Sequence, residues 1–302
     1  MKCIFVSLAL VALILAGCKT LEQISAVGTS VGVATGAITE DQAQSINRTS
    51  EAVGKTFDAI TPEQEYYIGR TVAATLLGSN PPYDSRAANE YLNVLGQYLA
   101  LCSDRPETFG GYHFLIMNAD EINAFAAPGG LILVSRGLLR CCAGEAQVAA
   151  VLAHEVGHVQ FKHGLQAISK NRITSALTVL AAESAKNLGD KDLAELTKTF
   201  EGSISDITST LVNSGYSRHF EQQADGAAVI ILERAGYDPR ALVGVLATMA
   251  TRLKPGSGGF AKTHPDPRVR VDYVVKQIGA APTAPPATSV RQARFERALR
   301  GI

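Results

Sequence analysis

The chain is 302 residues long, and 28 Lys+Arg against 28 Asp+Glu leave it without formal net charge. That length suits one large domain or two small ones, and 46% hydrophobic against 19% charged residues excludes a disordered polyelectrolyte. Balanced charge, no Trp and only 6% aromatics give no footing for nucleic acid and little for stacking on bases or sugars.

Residues 1–18 open with Lys2, continue in an apolar run from Ile4 to Ala16, and end in Gly17-Cys18. A basic start, a short apolar stretch and small residues before a cleavage point predict a secretory signal over residues 1–17. Leu15-Ala16-Gly17-Cys18 resembles the bacterial lipobox, which implies acylation of Cys18 and a stable membrane anchor. An ordinary signal that happens to contain a Cys is the plainer alternative. Lys19 rather than Asp after the Cys implies the outer membrane under enterobacterial sorting. Cys102, Cys141 and Cys142 would remain as thiols, either as buried small residues or with Cys102 paired to Cys141 or Cys142.

Residues 18–60 are small, polar and rich in Thr, Ser, Gly and Ala, and read as a lipidated N-terminus and tether. Thr61-Pro62-Glu63-Gln64-Glu65 is a helix start, predicting a helix over 61–77. A second helix is expected over 85–102, with Tyr91, Leu92, Leu95, Tyr98 and Leu99 as its apolar stripe. The period then shortens to that of strands over 113–118, 121–127 and 131–135. Pro128-Gly129-Gly130 punctuates the last two as a hairpin. A long helix is expected over 144–165, a helical stretch of unassigned role over 166–212, and further helices over 213–235 and from Pro239 to 253. Residues 61–280 form the expected domain, and 281–302 an Ala/Pro linker with a short basic tail. Helices, a small sheet, then more helices define an α+β class dominated by helix.

His154-Glu155-Val156-Gly157-His158 carries the chemistry. On a helix, His154 and His158 share a face one turn apart, so their imidazoles can bind one Zn²⁺ while Glu155 reaches a water beside it. A catalytic zinc takes three protein ligands and keeps a position open. His163 is a poor third ligand: on a continued helix it lies about 500° further round and points away. Glu221 and Asp225, four apart on a later helix, are better placed. Glu221 can ligate, and Asp225 can accept the far N–H of a ligand His. His113 and His219 are expected to be structural.

HExxH followed downstream by Ser217, Arg218, Glu221, Ala224 and Asp225 resembles the gluzincin zinc metallopeptidase family that includes HtpX, the CAAX prenyl protease and the Oma-type proteases. Asn123-Ala124-Phe125-Ala126 before Gly129-Gly130, Thr263-His264-Pro265 with Arg270, and the Glu65-to-Gly69 segment match as well. The likeness spans about residues 61–277 and is nearest to small periplasmic lipoprotein members. It implies a zincin-type domain with one zinc on His154, His158 and Glu221, and Glu155 as general base. Asp225 and Arg218 would support the ligands. His264 or Arg270 would stabilise the oxyanion, or His264 would cap the metal and hold the enzyme latent. The strand bearing Asn123, Ala124, Phe125 and Ala126 would pair with extended substrate, though Phe125 could equally be core. The implied role is hydrolysis of unfolded envelope proteins, with outer-membrane assembly machinery as a partner. The alternative is a chaperone or assembly factor whose zinc site His264 keeps closed.

Overall fold

The computed structural model describes residues 60–167, 201–202, 204–253, 260–279 and 289–302. The signal, Cys18, the tether, most of 166–212 and the Ala/Pro linker lie outside these residues. The chain divides into two units after Ile60, and the second, Thr61–Ile302, contains everything described below. Among the described residues no helix is long and apolar enough to cross a membrane.

Helix α1 (Pro62–Ser79) starts where the capping residues place it. The Gln64 N–H donates to the Thr61 hydroxyl, and the Thr61 N–H donates back to Gln64 Oε1. Helix α2 (Arg86–Leu101) is capped by Ser85 and buries Tyr91, Leu92, Leu95 and Leu99, each worth about 1.5–3 kcal/mol if fully buried. Tyr98 departs from the expected stripe: it is 47% exposed and its hydroxyl donates to the Ala235 carbonyl.

Among the described residues the sheet has three strands, β1 (His113–Met117), β2 (Ala124–Ala127) and β3 (Leu131–Ser135), in the order β1-β3-β2. β1 runs parallel to β3, and β2 antiparallel to it through a 3₁₀ turn at Pro128–Gly130. The second strand starts at Ala124 rather than at 121, and just before it the Ser135 N–H donates to the Asn123 carbonyl at 3.0 Å. The Asn123 N–H donates to the Ser135 hydroxyl rather than to a strand carbonyl. A short helix α3 (Arg136–Leu139) leads to α4 (Glu145–Gln160), which is buried along most of its length.

The helix expected over 144–165 breaks at Phe161. Lys162 adopts a left-handed conformation (φ 54°), and a short α5 (His163–Gln166) leaves in a new direction. A π turn (Thr210–Ser214) precedes α6 (Arg218–Arg234), α7 (Arg240–Arg252), α8 (Phe260–Thr263) and α9 (Pro267–Ile278). The expected basic tail is instead a helix, α10 (Ser289–Ala298), docked on the domain: Arg294 pairs with buried Glu145 at the start of α4. Cys102, Cys141 and Cys142 are free thiols, the last two buried. The architecture is helix-dominated α+β, as expected.

Glu65 and Gly69 fasten α1 to this sheet. Glu65 is 1% exposed; it accepts both Arg105 guanidinium N–H groups, at 2.9 and 2.7 Å, and the Gly129 N–H at 3.1 Å. A Cβ on Gly69 would lie 1.7 Å from the Pro128 carbonyl oxygen, so only Gly lets α1 rest on the turn. Gly69→Ala should therefore lower unfolding stability by about 1–3 kcal/mol or more through overpacking. An unchanged denaturant midpoint would contradict that close approach.

Candidate metal centre

Helix α4 is apolar on every side from Val148 to Ala153, so it must sit inside the domain, and the two histidines that follow come with it. His154, Glu155 and His158 are 3, 2 and 1% exposed. The His154 and His158 Nε2 atoms lie 3.1 Å apart and face the same point. Helix α6 lies directly across α4 because Gly157 has no side chain. A Cβ there would sit 3.0 Å from the Ala224 carbonyl oxygen. That approach delivers Glu221, whose Oε2 is 3.6 Å from His154 Nε2 and Oε1 3.4 Å from His158 Nε2.

His264 enters from the far side, just after α8. Its ring stacks on Phe260 at 4.2 Å, and its Nδ1 lies 2.9 Å from Glu221 Oε1. One ligand atom from each of His154, His158, Glu221 and His264 falls within 4.8 Å of all the others. Glu221 Oε2 is buried without a hydrogen-bond partner, an arrangement that costs about 1–3 kcal/mol unless something else takes the lone pair. Imidazole nitrogens and a carboxylate are the donors that a borderline divalent cation prefers. The four residues could hold one metal ion.

Asp225, one turn after Glu221, lies 3.0 Å from His154 Nδ1, the nitrogen facing away from the ligand atoms. It is held by Arg270 of α9, whose Nε and Nη2 donate to its two oxygens at 3.0 and 2.6 Å. Burial alone would raise the Asp225 carboxyl. The Arg270 charge and the His154 hydrogen bond overcome it and hold the group at about 2. Glu221 stands in the same balance, with burial opposed by His264 and Arg270, and ends well below the ordinary carboxylate range. Arg270 is 5% exposed, and its Nη1 lies 3.3 Å from Glu221 Oε2. Its Nε and Nη2 are committed to Asp225, while Nη1 makes no hydrogen bond among the described residues and faces Glu221 as a charge, so its place is to position Asp225 and to neutralise Glu221.

The structure thus brings His154, Glu155, His158, Glu221, Asp225, His264 and Arg270 together. Arg218 is not with them: it is exposed at the first turn of α6, where Ser217 caps the helix. His163 corrects the expectation that it points outward. It is fully buried, with Nδ1 2.9 Å from His158 Nδ1 and Nε2 3.1 Å from Gln223 Oε1. The helical angle of 500° presumed an unbroken helix, and the left-handed Lys162 turns the chain back instead. Burial pushes the His163 imidazole down to about 2. Tyr216, which carried no role in the sequence, stacks on His158 at 4.4 Å. His113 and His219 are exposed.

Ala124 and Ala126 face the core beneath β2, and Asn123 and Phe125 face the other way. There they line a cavity of about 400 Å³ with Leu76, Met117, Glu121 and Val212. Asn123 is tied to the metal group through its Oδ1, which accepts from the Thr263 hydroxyl beside His264. Among the described residues β2 lies at one edge of the sheet and β1 at the other.

A family model described as peptidase family M48 matches residues 86–278. The chain belongs to peptidase family M48. Its M48 domain is similar to the beta-barrel assembly-enhancing protease of Escherichia coli (strain K12), at 30% identity over 217 residues, which are 69% of this chain and 42% of that protein. Mitochondrial metalloendopeptidase OMA1 of Schizosaccharomyces pombe is 33% identical over 169 residues, 53% of this chain and 44% of that protein. Metalloprotease YcaL of Escherichia coli (strain K12) is 24% identical over 168 residues, 56% of this chain and 63% of that protein. The chain spans less than half the length of the first of these relatives. Membership of peptidase family M48 agrees with the gluzincin resemblance read from its motifs.

Proposed function

We propose that this chain is a zinc-dependent metalloendopeptidase of the bacterial cell envelope. It is anchored by lipid on Cys18, at the periplasmic face of the outer membrane, and hydrolyses peptide bonds in unfolded or misassembled envelope proteins. One observation carries the chemistry: a ligand atom from each of His154, His158 and Glu221 converges within 4.8 Å, and Glu155, next to His154 on the same helix, is buried. Zinc on these residues would supply a Lewis acid for the scissile carbonyl and lower the pKa of water. Glu155 takes the proton from the attacking water and passes it to the leaving amine. The burial of Glu155 beside His154 on α4 supports that role.

The edge of β2 supports extended substrates. A peptide added there gains backbone hydrogen bonds that are indifferent to sequence, which favours unfolded chains. The cavity at Phe125 would take one side chain of such a peptide. The lipobox supports the anchor, and the printed name of the Escherichia coli relative supports a place near outer-membrane assembly.

A second reading rests on His264. As a fourth donor within ligand distance, it would fill the position that a catalytic metal keeps open. The chain would then be latent, or an assembly factor, until His264 moves. The two readings separate in one experiment on the chain from Thr20 onward: zinc content and casein cleavage, for wild type and His264→Ala. One zinc per chain with cleavage by wild type supports the open enzyme. Cleavage gained only in His264→Ala supports the latent one. No zinc in folded protein overturns both.

A further inference from the structure

We propose that His163 is a positioning residue for the ligand His158, the middle of a hydrogen-bond relay that runs from the metal site to Gln223. The inference rests on the zinc reading above. His158 Nε2 faces the ligand atoms, 3.1 Å from His154 Nε2 and 3.4 Å from Glu221 Oε1. A neutral imidazole that ligates through Nε2 carries its proton on Nδ1. That Nδ1 lies 2.9 Å from Nδ1 of His163. Two ring nitrogens so close cannot both be protonated, so the His158 N–H donates and His163 Nδ1 accepts. His163 must then carry its own proton on Nε2, where Gln223 Oε1 accepts it at 3.1 Å. With a ligand lone pair on His158 Nε2, this assignment gives every nitrogen one role and leaves none unpaired.

The His163 ring has no room to leave this alignment. It is fully buried, stacked on Phe220 at 4.4 Å and 11°, with Phe161 at 5.6 Å and 23° on the same cluster. Helix α6 therefore orients both ligand histidines of α4. Asp225 reaches His154 directly, and Gln223 reaches His158 through His163. One ligand is backed by a carboxylate and the other by a neutral ring.

The test uses the mature chain in four forms: wild type, His163→Phe, His163→Gln and Gln223→Leu. Zinc affinity is read by competition with a chromogenic chelator, the ligand field by the visible spectrum of the Co²⁺ form, and metal-free folding by the thermal midpoint. His163→Phe keeps the stack and removes the acceptor. It should lower zinc affinity by ~10–100-fold, the usual effect of losing such a partner, and alter the Co²⁺ spectrum. His163→Gln offers an amide oxygen to the His158 N–H and should recover most of the loss. Gln223→Leu frees His163 to adopt the opposing tautomer, so it should weaken zinc in the same direction but less, with an unchanged metal-free midpoint. Wild-type zinc affinity in both His163→Phe and Gln223→Leu would overturn the relay. Should His163→Phe fail to fold, Gln223→Leu decides alone. Absence of zinc from the wild type as well would overturn the metalloenzyme reading and the relay with it.

Discussion

Glu155→Gln is expected to lower kcat for casein cleavage by ~10²–10⁴-fold, the usual worth of a general base, in whichever form of the protein cleaves. The amide is isosteric and Glu155 is not among the convergent ligand atoms, so zinc content and thermal midpoint should stay at wild-type values. That combination separates a lost base from a lost metal or a lost fold. A residual rate within a few-fold of wild type, with zinc still bound, would remove Glu155 from the mechanism.

The second large effect is on stability. Arg270 is buried between Asp225 and Glu221, and its removal leaves two buried carboxylates without their cation. Arg270→Leu should cost about 3–5 kcal/mol in metal-free protein, the range for breaking a buried ion pair. The same change should reshape acid unfolding. In wild type the Asp225 carboxyl is held at about 2, below its unfolded value of about 3.9. Its contribution is complete above pH ~4 and is lost as pH falls toward 2. Without Arg270 the folded carboxyl moves upward under burial, so that contribution shrinks and acid unfolding begins at higher pH. Urea midpoints of both proteins between pH 3 and 7 would show it. Coincident curves would mean that Arg270 does not hold these carboxylates.

The parts of the site legible in the sequence were those that lie on one regular element. His154 and His158 share a face because four residues make one turn, and the same rule set Glu221 against Asp225. The resemblance added His264 and Arg270, which no local period could join to the others. His163 was misread because a period was extended through Lys162, whose left-handed backbone no pattern announced. Arg218 shares a motif with Glu221 yet lies on the exposed first turn of the same helix. The pairs Glu65–Arg105 and Glu145–Arg294 were hidden for a different reason. Each joins residues far apart in the chain, and an isolated Glu or Arg in sequence looks like any solvated charge. Likewise the last helix read as a tail because its docking joins residues far apart in the chain: Arg294 to Glu145, Arg291 to the Gly236 carbonyl, and Phe295 and Leu299 to the core.

Those two arginines give α4 an uncommon mechanical status. Arg294 grips its first turn through Glu145, and Arg105 donates to the Val159 carbonyl at its last turn. A helix fastened at one end can still screw along its axis, and slipping by one residue turns every side chain about 100° and shifts it about 1.5 Å. Fastened at both ends by cations from opposite halves of the chain, α4 has its phase fixed as a shaft is fixed between two bearings. The phase of the helix that carries the two imidazoles is thereby set by residues outside the ligand group.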